Sequence, residues 1–109
     1  MSSDEKKIHW TSHAKAKMRF YALSESRIKR IINYPDRIEE GIAFDTIALM
    51  KDISGTKKSQ EIWTMIQKKN KKIIVISAWR YPGKTKPDNP LPRKILIEIS
   101  EALLIKNNV

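Results

Sequence analysis

The stretch Ile73–Gly83, IIVISAWRYPG, constrains the fold of this chain more than any other segment. A continuous apolar run, rich in β-branched residues, ends in Trp79, Arg80 and Tyr81 before Pro82-Gly83 stops it. Such runs, bounded by turn residues, predict a strand buried on both faces. The strand is rigid, so a cation between two aromatics at its exit is held in a fixed place at the sheet edge. An arginine there can fork onto a phosphate, and the flanking rings can stack on bases. The alternative is a strand that simply ends at the surface, where aromatics and arginine are common.

The rest of the chain supplies helices and further strands around it. Thr11 or Ser12 caps a helix over Ser12–Tyr21, in which Ala14, Met18 and Tyr21 form an apolar stripe. His13 and Lys17 lie four apart on a neighbouring stripe. Ser24 caps a second helix, Glu25 suits its dipole, and Leu23 and Ile28 occupy the positions of a hydrophobic staple. Ile28, Ile31 and Ile32 face a core, Arg27, Arg30 and Tyr34 share the solvated side, and Tyr34-Pro35 ends the helix. Strand signals follow at Arg37–Ala43 and Thr46–Lys51, around a turn at Phe44-Asp45. Glu61–Gln67 alternates, with Ile62, Thr64 and Ile66 on one face and Trp63 and Met65 on the other. Lys68–Lys71 is a hairpin tip, and short turns between strands favour antiparallel pairing. Tyr81–Pro92 holds four of the five prolines and predicts an irregular basic loop. Arg93–Lys106 has helical spacing, with a strand at Ile95–Ile99 as the competing reading. The expectation is one α+β domain over residues 1–109, with 1–7 a loose tail. It has two N-terminal helices, a three- to four-stranded mainly antiparallel sheet and a C-terminal helix.

Charge narrows the partners. The 109 residues carry a formal net charge of +10, and 40% are hydrophobic, enough for a folded globule. Residues 1–54 hold 10 Lys/Arg against 8 Asp/Glu, while residues 55–109 hold 12 against 4. Lys57 to Lys94 alone has 11 basic residues against Glu61 and Asp88. This asymmetry is the electrostatic footprint of a polyanion binder, with nucleic acid first in line and an acidic protein or an anionic surface as alternatives. No cysteine is present, which excludes disulfides, thiol catalysis and cysteine-ligated zinc. No apolar run approaches the roughly 20 residues that cross a bilayer, and no signal-peptide core opens the chain, so a cytoplasmic location is expected.

Few chemistries fit these residues. Glu39 and Glu40 point to opposite faces of a strand, and no spaced acids with a lysine follow, so no metal site and no cofactor are expected. There is neither a Gly-x-Ser-x-Gly elbow nor a phosphate-cradling glycine loop. Metal-free cleavage of RNA needs less, because the 2′-hydroxyl is the nucleophile. A base, a phosphate clamp and an acid suffice. His13, at a helix start that lowers its pKa, is the candidate base, and the plain alternative is a histidine bonded to a neighbouring strand. Arg80, Lys17 and Arg19 are candidate phosphate holders, Tyr81 or Lys84 candidate acids, and Trp79 and Tyr81 candidate stacking surfaces. Lys84 and Lys86 add basic contacts from the loop.

The opening Ile8-His9-Trp10-Thr11-Ser12-His13-Ala14, followed by Lys17-Met18, resembles the start of a family of small bacterial and archaeal domains of unknown function. Their usual opening is Trp-Ser/Thr-x-His-Ala-x-x-Arg-Met. Ser24–Ile31, Asn33–Asp36 and Glu39-Glu40 continue the resemblance, which spans about His9–Arg80, with Lys17 standing where the family has arginine. Lysine keeps the charge there but loses the bidentate fork. The order of elements and the charge are also similar to RelE/ParE and BrnT-like toxins of toxin–antitoxin pairs. By that analogy Arg80 would hold phosphate and His13 would be a site residue. RNA, including mRNA on a ribosome, would be the substrate, and a short acidic antitoxin the protein partner. Two other functions remain open: a non-catalytic nucleic-acid-binding module, and a protein-interaction domain that meets an acidic partner.

Overall fold

The computed structural model describes residues 7–42, 45–86 and 97–101. They form an α+β fold: β1 (Lys7–Trp10), α1 (Ser12–Tyr21), α2 (Glu25–Asn33), β2 (Arg37–Glu40), β3 (Thr46–Asp52), β4 (Gln60–Lys69) and β5 (Lys72–Pro82). Residues 97–101 are helical, so the competing strand reading fails over 97–99. The remainder of the expected C-terminal helix and the Phe44 turn position lie outside the described residues, as do residues 87–92 of the basic loop. No helix among the described residues is long and apolar enough to cross a membrane.

The sheet has five strands in the order β1-β5-β4-β3-β2, rather than three or four. The extra one is β1, which takes Lys7 out of the expected loose tail and runs parallel to β5, pairing Lys7–Trp10 with Lys72–Val75. A four-residue edge strand carries too short a pattern to stand out locally. Its partner lies across two helices and three strands, so only the tertiary fold reveals the pair. The other pairings are antiparallel, as expected. The observed β2 stops at Glu40 rather than Ala43.

Both helices form as the capping residues dictate. Thr11 Oγ1 accepts from the Ala14 amide, and Ser24 Oγ accepts from the Arg27 amide. Leu23 and Ile28, the staple pair, are both buried. α1 ends in a Schellman arrangement, with Leu23 N–H bonded to Met18 O and Ala22 N–H to Arg19 O. Ala22 sits at φ 56°, where glycine is the usual occupant.

Each face of the sheet has its own core. α1 packs on β5, and α2 on β3 and β4. Under them Ala14, Met18, Leu23, Ile28, Ile31, Leu49, Ile62, Ile66, Val75 and Ala78 form one apolar cluster. On the opposite face Ala48, Met50, Trp63, Met65, Ile76 and Trp79 pack with Ile99 of the C-terminal helix. The expected split of β4, Ile62 and Ile66 against Trp63 and Met65, is the one observed.

A β-bulge in β5 governs which residue looks which way. Met65 pairs with Ser77 and Ile66 with Val75, so Ile76 is an extra residue opposite no partner. Strict alternation would put Val75, Ser77 and Trp79 on one face. The bulge resets the parity. Val75 and Ala78 face the helices, while Ile76 and Trp79 face the other core. Beyond Pro82, Gly83 at φ 102° turns the chain back over the sheet.

Candidate functional site

The start of α1 is tied to β5 at the bulge. The Thr11 amide donates to Val75 O, and Thr11 Oγ1 lies 3.0 Å from Val75 O and 3.2 Å from Ile76 O. α1 thereby takes over the β5 edge where β1 stops pairing. This places His13 beside Ser77, which the reset parity has turned toward the second core. His13 Nε2 lies 3.1 Å from Ser77 Oγ. One turn on, Lys17 Nζ donates to Glu98 Oε1 at 2.6 Å. Lys17 also sits 5.6 Å from the centre of the exposed Phe20 ring.

Burial holds the His13 pKa below its usual 6.5, Lys17 lowers it further, and Glu98 pulls the other way. The ring is therefore neutral at pH 7 and able to accept a proton. Ser77 is 3% exposed, so its hydroxyl is a partner of His13 and is not open to a substrate as a nucleophile. Glu98, the carboxylate whose charge acts on His13, is bonded to Lys17 and does not orient the imidazole as a triad acid would. What this corner offers a ligand is a neutral imidazole and a half-buried ammonium whose present partner is an equally half-buried carboxylate.

The other expected site residues do not gather around His13. Arg80 faces the helices. Its Nε donates to Tyr21 O at 2.7 Å and its Nη1 to Gln60 Oε1 at 2.8 Å. Tyr21 closes α1, so Arg80 satisfies a carbonyl that the helix leaves open and places a cation at the negative end of the dipole. The eight residues from His13 to Tyr21 span roughly 12 Å of helix axis. Tyr81 is half-buried against the second core, four residues beyond Ser77 and roughly 13 Å along the strand. Arg19 is exposed on α1.

Trp79 corrects the stacking expectation. It is 1% exposed and lies parallel to Trp63, with ring centres 6.0 Å apart. Its face is spent inside the protein, so it offers no surface to a base. The apolar run was long enough to continue into the core through Trp79, which is why the aromatic at its end is not at the surface.

A buried polar network, not anticipated from the residues, lies next to the tryptophans. Glu61 is 2% exposed. Its Oε1 accepts from Trp63 Nε1 at 2.9 Å and from Thr85 Oγ1 at 2.8 Å. Arg37 Nη1 stands 3.8 Å from Glu61 Oε2, Arg37 Nε donates to Glu39, and the guanidinium lies 5.1 Å from the Trp63 ring centre. Arg37 also donates to the carbonyls of Thr85 and Lys86. A buried charge persists only when paired and hydrogen-bonded, and here it is. The network pins residues 84–86 to the sheet, with Thr85 inward and Lys84 and Lys86 exposed. These two lysines thus project from a fixed segment. Register hid this arrangement: Glu61 and Arg37 are on strands separated by β3, and the only signal was a carboxylate inside an otherwise apolar strand.

The residues set aside as a solvated helix face also prove to be placed. Arg27, Arg30 and Lys51, with Ser24, Ser26, Ile31 and Ile53, line an open cleft of about 430 Å³ between α2 and β3. Among the described residues no three His, Asp or Glu side chains come together as metal ligands. No protein-family model, curated protein or solved structure matches the chain.

Proposed function

We propose that the chain is a small basic RNA-interacting domain of the cytoplasm, with His13 and Lys17 as its reactive corner. The observation that carries this reading is the pairing of a neutral, half-buried imidazole with a cation one helical turn away, on a chain of net charge +10. In metal-independent cleavage, His13 takes the proton of the RNA 2′-hydroxyl as that oxygen attacks the adjacent phosphorus. Lys17 leaves Glu98 and balances the charge that develops on the phosphorane oxygens. The 5′-oxygen departs with a proton taken from solvent water, leaving a 2′,3′-cyclic phosphate, and His13 later returns its proton to solvent. Arg19, Lys84 and Lys86 hold flanking phosphates. The similarity in element order to RelE-type toxins supports the same reading, and a short acidic antitoxin is the protein partner it implies.

A second reading, a binding module without catalysis, draws on one observation. Arg80, the phosphate holder in the analogy, already spends two of its donors on Tyr21 and Gln60. Total RNA and translating ribosomes incubated with the protein in EDTA separate the two. Cleavage to 2′,3′-cyclic ends that drops about 100-fold or more in His13→Gln supports the ribonuclease. Absence of cleavage, with salt-sensitive RNA retention equal in both proteins, leaves the binding module.

A further inference from the structure

The cleft between α2 and β3 has features that the His13 corner does not use. Arg27 and Arg30 are three residues apart, so both lie on the same side of α2, and both are exposed. Lys51 approaches them from β3. Like charges at this spacing repel, and a fold keeps them together only when nothing is lost by it or when something neutralises them. Lys51 is neutralised by Asp36, 3.2 Å away on the protein surface. Neither Arg27 nor Arg30 has an ion-pair partner among the described residues. Ile31 and Ile53 give the cleft apolar lining, and Ser24 and Ser26 line it too, their hydroxyls 3.3 Å apart.

We infer that this cleft is a binding site for a phosphate group. Arg27 and Arg30 of α2 and Lys51 of β3 line one concave space from two elements. Donors arriving from several directions suit a tetrahedral oxyanion better than a planar carboxylate, and Arg supplies paired bonds to phosphate. A space of about 430 Å³ accommodates a phosphate together with an attached sugar. The phosphate belongs either to an RNA backbone or to a small free anion such as pyrophosphate. The site is separate from His13: Lys51 pairs with Ile62 of the helix-side core, whereas Ser77 pairs with Met65 of the opposite core. It therefore stands or falls independently of cleavage.

The experiment follows backbone amide NMR signals of the full chain during titration with sodium pyrophosphate and, separately, with a mixed-sequence RNA of about ten nucleotides. The expected result is saturable shifts at Ser24, Ser26 and Arg27 with at least one of the two. Arg27→Gln/Arg30→Gln, whose side chains are exposed and leave the core intact, is expected to lose those shifts. RNA affinity should fall about tenfold or more near 0.1 M salt, and its salt dependence should flatten by about 1 to 2 in log–log slope. The charge-matched control Lys57→Gln/Lys58→Gln, in the exposed loop beyond β3, should have a smaller effect. Shifts with pyrophosphate assign a free anion, and shifts with RNA alone assign the polymer backbone. Unchanged RNA binding in the arginine variant with no pyrophosphate shifts at α2, or equal losses in both double variants, overturns the site.

Discussion

The face of the sheet beneath α1 and α2 is sealed by aliphatic side chains, Ile28, Ile31, Ile62, Ile66 and Val75 among them. The opposite face holds two stacked tryptophans, a buried glutamate and the arginine that answers it. The first depends on area removed from water, which degrades gradually as atoms are lost. The second depends on every polar partner being present, and an incomplete set costs more than an apolar replacement would. The cations follow the same division. Arg37 and Arg80 are built into the fold on opposite faces, whereas Arg27 and Arg30 remain available at the surface.

The largest expected effect breaks the polar face. Glu61→Ala leaves the buried Trp63 indole N–H and the Thr85 amide and hydroxyl without their acceptor and removes one of the two carboxylates beside Arg37, and should cost about 3–5 kcal/mol in urea denaturation. A loss below 1 kcal/mol would mean that the network is not what secures residues 84–86. Arg80→Ala, on the helix face, removes two charge-assisted bonds, one to the end of α1 and one to Gln60 of β4, and should cost about 2 kcal/mol. The informative companion is RNA cleavage by that variant below its melting temperature. Retained activity makes Arg80 a structural residue, and abolished activity in a folded protein returns it to the site. Thr11→Ala should cost about 1–2 kcal/mol, because it removes a helix cap and a tie to β5 together. Calorimetry beside Ser24→Ala, a cap with no strand contact and an expected loss of about 1 kcal/mol, isolates the tie. Ala22→Gly should work in the opposite direction and stabilise by about 0.5–1 kcal/mol, since glycine takes the left-handed angle without strain. A fall in melting temperature would refute that assignment.

The smallest effect concerns pH. Because the folded His13 pKa is lowered, the unfolded chain binds more protons than the folded one just below 6.5. Stability is therefore full above that value and declines as pH falls toward the depressed folded pKa. Urea midpoints measured between pH 7 and 5 should show this decline in the wild type and a shallower one in His13→Gln. Identical slopes would mean that His13 titrates as freely as in the unfolded chain.

Much of the local structure was legible. Thr11 or Ser12, and Ser24, announced the helix starts, because capping is a contact between residues three apart, and the structure gives the first cap to Thr11. The β4 alternation assigned its side chains to the correct cores. β5 was recognisable as a strand but not as a bulged one, since nothing in IIVISAWRYPG marks Ile76 as the unpaired residue. That one insertion decides that Ser77 meets His13 and that Arg80 points to the helices. Composition and capping, then, determined an α+β fold with a basic surface, because those signals reside in neighbouring residues and in total charge. The parallel β1–β5 pair, the Glu61–Arg37 network and the convergence of Arg27, Arg30 and Lys51 were decided only in the tertiary structure. Each joins residues distant in the chain through sheet register and helix packing, which no local pattern encodes.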